Sequence, residues 1–206
     1  MSDNSAFVDV HFRLRGQRLP LDHGYSLYGA ISRKVSAAHE VQNWGIHPVY
    51  GRRHQPGYLE LIDASRLKFR LPADDIPAIL PLAGQQLDVD GHKVNVGVPE
   101  VHALEPSSGL KSRYVTIKGF MEPEGFGEAV GRQLEKRCGV TSDDVQIEVG
   151  DRRVMDVSKY TIVGFQLELY GLGSEDSLKV QRNGIGGRRK MGAGIFRPAS
   201  REKGDG

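Results

Sequence analysis

Residues 6–14 alternate: Phe7, Val8, Val10, Phe12 and Leu14 are interleaved with Asp9, His11 and Arg13. That two-residue period is the mark of a half-buried strand. Residues 15–20 read as a polar connection. Beyond them Leu27, Ile31, Val35 and Ala38 recur at helical spacing behind Asp22, a natural N-cap, so a helix is predicted from His23 to about Ala38. Residues 44–58 carry Gly45, Pro48, Gly51, Pro56 and Gly57 and read as loop with at most a short strand. Residues 58–62 and 66–71 read as strands paired with each other. Asp74 or Asp75 would cap a short helix through Leu82. Residues 86–89 and 93–98 flank Asp90-Gly91, a strong hairpin signal.

Residues 99–109 hold Pro99, Pro106, Ser107, Ser108 and Gly109, the best linker in the chain. After it the order repeats. A strand is predicted at 112–120, a helix at 126–137 ended by Gly139, and strands at 145–149 and 161–170 with a turn-rich connection. A short helix at 175–182 and a last strand at 194–197 follow. Two passes through one βαββαβ order predict an α+β fold of tandem ferredoxin-like (RRM-like) halves, residues 1–104 and 105–206, with a glycine-rich loop near the C-terminus.

Composition narrows the class. With 38% apolar and 26% charged residues the chain can bury a core, which excludes global disorder. The lone Cys138 excludes a disulfide scaffold and a cysteine-based metal site, and it fits a reducing compartment. No stretch reads as a signal peptide or a membrane span, so cytoplasm is the expected location. The net charge is only +2, but its distribution is uneven. Residues 179–201 hold seven basic residues and no acidic one, and five of the seven histidines fall before residue 55.

The glycine excess, 26 residues of 206, is densest at 184–194, GIGGRRKMGAG. Five glycines there strip away side chains and permit close backbone approach. Arg188, Arg189 and Lys190 add positive charge, so backbone N–H groups and guanidinium groups together suit a polyanion. No Gly-Lys-Ser/Thr is present, and the run leads into a strand rather than a long helix, so neither a Walker loop nor a dinucleotide fingerprint is indicated.

That run has the form G-I-G-x-x-R-x-x-G-x-G-x-aromatic. Closing a tandem ferredoxin-like chain, it resembles the CRISPR repeat-processing endoribonucleases of the RAMP superfamily, the MYXAN subtype in particular. The stretches HGYSLYGAISR (23–33), GIHP (45–48), SRL (65–67), LKSRYVTIK (110–118), GDRR (150–153) and IVGF (162–165) extend the resemblance over most of the chain. Ala193 stands where many relatives carry cysteine. The resemblance implies a partner, CRISPR repeat RNA (pre-crRNA and crRNA). It also implies association with other subunits of a type I effector complex.

RNA can be cut without a metal: the 2′-OH attacks the adjacent phosphate, given a base, an acid and positive charge on the phosphorane. Histidine suits the first two roles, since its ordinary pKa lies near 6.5. The resemblance implies a catalytic histidine after the first helix, with a helix tyrosine and a basic residue. His39, in its AHE setting, is the first candidate, His47 the second and His23 the third. Taken singly and without the resemblance, each reads first as a hydrogen-bonding or surface residue. Tyr28, read either as core or as catalyst, joins them with Arg52 and Arg53, which would neutralise the phosphate; Tyr25 is a further candidate. RNA binding is expected at Lys118, Arg182, Gly186, Gly187, Arg188, Arg189, Lys190, Gly192 and Gly194. No cofactor and no metal are implied. The alternative is a non-catalytic crRNA-binding subunit of an effector complex.

Overall fold

The computed structural model describes residues 6–53 and 56–199. His54 and Arg201, counted above among the histidines and the basic cluster, lie outside the described residues. The chain forms two compact units. The first runs to Leu104 and also takes in Met155–Thr161 and Arg189–Gly192; the second comprises Glu105–Val154, Ile162–Arg188 and the chain from Ala193.

In the first unit the elements follow as β1 (Phe7–Arg15), β2 (Arg18–Pro20), α1 (Gly24–Ser32), α2 (Ala37–Glu40), β3 (Gly45–Ile46), β4 (Arg52–Arg53), β5 (Tyr58–Glu60), β6 (Arg66–Pro72), α3 (Ile76–Ile79), β7 (Gln86–Val89) and β8 (His92–Ala103). The main sheet has the order β3-β6-β1-β8-β7, the second–third–first–fourth arrangement of a ferredoxin-like βαββαβ unit extended by the β7–β8 hairpin. Alternation along β1 works as predicted: Val10, Phe12 and Leu14 are buried, while Asp9, His11 and Arg13 face the other way. The core joins them to Leu27 and Ile31 of α1, to Leu67 and Phe69 of β6 and to Trp44. The Trp44 indole N–H donates to Asp75 Oδ2 at 2.7 Å, so the largest buried ring keeps a partner for its one polar atom.

The later elements repeat the plan with β9 (Gly109–Val115), α4 (Phe126–Gln133), β10 (Gln146–Val157), β11 (Tyr160–Tyr170), α5 (Ser174–Asn183) and β12 (Arg197–Pro198), the β10–β11 tip at Met155–Thr161 belonging to the first unit. Their sheet order is β10-β11-β9-β12, again second–third–first–fourth. Phe126 and Phe165 pack with ring centroids 4.7 Å apart in a core shared with Leu110, Val130, Leu167 and Val180. Ile185 and Phe196 are fully buried in the same core, so both flanks of the glycine-rich run are anchored by apolar contact. The tandem ferredoxin-like expectation holds.

Several local expectations do not. The predicted first helix ends at Ser32: Lys34 N–H bonds Ile31 O at 2.9 Å in a tight turn, which brings Val35 and then Ala38 into the core. Asp22 does not cap it; its Oδ2 accepts the Asp156 N–H at 2.7 Å. The polar connection at 15–20 contains β2, and β5 pairs with β2 and β4 rather than with β6. β6 pairs with β1 and β3 instead. β8 runs on to Ala103 into the expected linker, because its second half pairs with β1. β10 continues to Val157, turning what read as a turn-rich connection into one long hairpin.

Candidate active site

The break after α1 shapes the site. Because the chain turns at Arg33 and Lys34 before α2 begins, His39 comes back beside Tyr28. The Tyr28 ring packs against the core, and its hydroxyl reaches outward to His39 Nδ1 at 3.3 Å and to Ala38 O at 3.5 Å. The two rings meet edge to face, centroids 5.8 Å apart. His39 itself is exposed. When the tyrosine donates to Ala38 O, it accepts from Nδ1–H and leaves Nε2 with a free lone pair. When it donates to Nδ1, Nε2 carries the proton. One hydrogen bond therefore serves either a base or an acid.

A third group joins them from far along the chain. Lys190 Nζ donates to Ala38 O at 2.7 Å and to His39 O at 3.3 Å and lies 6.0 Å from the Tyr28 ring centroid. The ammonium caps the carbonyl end of α2, where positive charge is favourable. Partial burial pushes its pKa below the ordinary lysine value. Lys190 sits in the short turn Arg189–Met191. The turn is held by Arg189 Nη1, which donates to Asn43 O at 3.1 Å, and by Gly192 packed on Pro48.

The glycines of the run make close approaches, but to their own chain. A Cβ on Gly186 would lie 2.2 Å from Thr116 O, and one on Gly194 2.1 Å from Ile185 O; both have positive φ. Their N–H groups are spent internally as well: Gly186 on Gln133 Oε1 at 2.7 Å, Gly187 on Thr116 O at 3.0 Å and Gly194 on Tyr114 O at 2.7 Å. Arg137 donates to Gly186 O. The run is thus a rigid scaffold rather than an open cradle of amides. What it shows to solvent is Gly187 and Arg188. Arg188 holds φ 62, a conformation uncommon for a side chain-bearing residue. Arg189, expected at the surface, is buried.

The other candidates lie elsewhere. His47 is buried, with Nε2 3.4 Å from Asp9 Oδ1 but without hydrogen-bond alignment. Burial pushes its pKa down, and the Asp9 carboxylate offsets this only in part. Asp9 also holds Arg70 through two bonds of 2.8 and 2.7 Å. Burial alone would raise the Asp9 pKa, but the Arg70 guanidinium and the His47 ring hold it well below the usual carboxylate range. His23 is buried as an anchor: Nδ1 bonds Pro20 O at 2.9 Å, and Nε2 accepts the Val49 N–H at 3.0 Å. Arg52 and Arg53 are exposed on β4, Lys118 is exposed just after β9, Arg182 is half-buried on α5, and Tyr25 is exposed on α1. Among the described residues, no group of three or more His, Cys, Asp and Glu side chains is placed to hold a metal ion. Among the same residues, no helix is long and apolar enough to cross a membrane.

The fold of two ferredoxin-like units is one shared with solved CRISPR-associated and RAMP proteins. A sequence model described as Cas6 Crispr matches residues 8–201, and the chain belongs to the Cas6 family. It is 39% identical over 195 residues to the CRISPR-associated endonuclease Cas6 of Myxococcus xanthus (strain DK1622), an alignment covering 95% of this chain and 83% of that protein. The fold matches that of a Cas6-related protein from Pyrococcus furiosus, with a TM-score of 0.70 and 16% identity over 96% of this chain and all of the other. A RAMP protein binding different RNA substrates matches equally, with a TM-score of 0.70 and 16% identity over 94% of this chain and all of the other.

Proposed function

We propose that the chain is an endoribonuclease that cleaves precursor CRISPR RNA within the repeat, without a metal ion, by attack of a 2′-OH on the adjacent phosphate. The bond formed joins the 2′ oxygen to phosphorus, and the bond broken frees the 5′ oxygen. The products are a 2′,3′-cyclic phosphate and a 5′-OH end. The reaction belongs to the cytoplasm, with CRISPR repeat RNA as partner and the effector complex as destination.

The observation that carries this reading is the exposed His39 with Tyr28 and Lys190 around it. His39 Nε2 takes the proton of the attacking hydroxyl while Tyr28 holds the opposite nitrogen and orients the ring. Lys190 commits two of its three N–H donors to main-chain carbonyls and offers the third, with its charge, to the phosphorane oxygens. His47 belongs to the buried Asp9–Arg70 network and acts on folding rather than on substrate. Residues 1–104 thus supply the histidine and tyrosine, while residues 105–206 supply the lysine and the RNA-gripping surface at Arg188. The family relation to a named endonuclease supports the same activity.

Incubation with labelled repeat RNA in excess chelator tests this. Two fragments are expected, the upstream one resistant to end-labelling until its cyclic phosphate is removed. A mobility shift without product identifies a binding subunit instead. Arg188→Ala should weaken RNA affinity and reduce the slope of log K against log salt by about 1, the loss of one phosphate contact. An unchanged slope removes Arg188 from the RNA path.

A further inference from the structure

The turn that presents Lys190 has a further support, on the helix that carries Tyr28. Gly24 is the first residue of α1, and an ideal Cβ built on it lies 2.3 Å from the Met191 carbonyl oxygen and 3.2 Å from Met155 Sδ. A thioether can swing aside. The carbonyl is main chain in the Arg189–Met191 turn and moves only if the turn moves. Nothing in the backbone of Gly24 itself calls for glycine: it lies in a helix without a positive φ, where alanine is the better residue. Its lack of a side chain answers to the turn. Gly24 and Tyr28 are four residues apart and so share one helix face. That face meets the turn at its first residue and His39 one helical turn later.

We propose that Gly24 is a positioning residue for Lys190: bare backbone at the start of α1 lets the Met191 carbonyl approach and thereby fixes the ammonium over Ala38 O and His39 O. The proposal rests on the reading that Lys190 serves the cleavage reaction. A methyl group at position 24 drives the turn back by about 1.1 Å before ordinary contact is restored, and a misplacement on the order of 1 Å in a catalytic group is enough to slow a reaction ~100-fold.

The test is a double-mutant cycle of Gly24→Ala and Lys190→Ala, read by single-turnover cleavage of repeat RNA at saturating protein, with RNA affinity and melting temperature measured alongside. Gly24→Ala should slow cleavage roughly 10- to 100-fold, with affinity within about twofold and no loss of melting temperature. In the Lys190→Ala background it should add almost nothing, because coupled residues are not additive. A wild-type rate for Gly24→Ala, or an equal loss in both backgrounds, overturns the positioning role. So does a melting temperature that falls in step with the rate. Adding Met155→Ala removes the thioether contact but not the carbonyl one, so Gly24→Ala/Met155→Ala should stay slow, and recovery of its rate would also overturn the role. A wild-type rate for Lys190→Ala alone is a different result: it removes the reading of Lys190 as part of the reaction, and this proposal with it.

Discussion

Replacing His39 by alanine is expected to slow single-turnover cleavage by about 10²–10⁴-fold, the usual worth of a general base, while repeat RNA still binds. The side chain is exposed and its ring contact is to Tyr28, so its removal leaves the core intact. His47→Ala should behave in the opposite way. That ring is buried against Asp9, and its loss should lower the melting temperature while cleavage by the folded fraction persists. Tyr28→Phe keeps the ring packing and removes the hydroxyl that holds Nδ1, so it should fall between wild type and His39→Ala. A folded His39→Ala protein that cuts at the normal rate ends the assignment of the base.

Asp9→Asn is expected to destabilise the first unit by about 3–5 kcal/mol, because it leaves the fully buried Arg70 guanidinium without its carboxylate. Changing both residues, as in Asp9→Asn/Arg70→Met, should recover much of that loss, since neither charge is then stranded. Chemical denaturation of the three variants measures this; a double variant no better than the single one contradicts it. The same network sets a pH dependence. The folded-state pKa of Asp9 is held down by Arg70 and His47 against the effect of burial. Its stabilisation is therefore complete above the unfolded value near 3.9 and is lost as pH falls below it. His47, lowered by burial, and His11, lowered to about 4 by burial and then by Lys68 and His102, add to the effect at higher pH. Each destabilises the fold as the unfolded histidine takes up a proton below about 6.5. Stability should thus decline from near neutrality downward and fall again below pH 4. A flat profile between pH 7 and 4 would show that neither histidine stays neutral on folding.

What the sequence made legible was local. The Asp90-Gly91 hairpin forms as the dipeptide demands, with φ of 53° and 79°, and the repeated strand–helix order gave both sheets. Pairing was less legible, because strands at 58–60 and 66–72 are adjacent in sequence and end in different sheets; which edge is free depends on β1 and β2, not on either strand's own residues. His39 and Tyr28 could be proposed together because only a helix and a turn separate them. Lys190 was legible as a basic residue in a glycine-rich run but not as a neighbour of His39, since the two are 151 positions apart and no periodicity spans that distance. The glycines misled for a related reason. A Cβ-free residue announces that something approaches closely, but not whether the visitor is a ligand or, as at Gly186 and Gly194, a carbonyl of the same chain.

The assignment of Arg189–Gly192 to the first compact unit, apart from the stretches on either side, bears on how the protein is made. A ribosome has delivered Tyr28 and His39 early in synthesis, yet the ammonium that completes their cluster enters only when residue 190 is added. The nascent chain therefore lacks the Lys190 hydrogen bonds to Ala38 O and His39 O for most of translation. A split of the polypeptide near residue 104 yields a leading fragment without the ammonium that bonds Ala38 O and His39 O, to be supplied by its other piece.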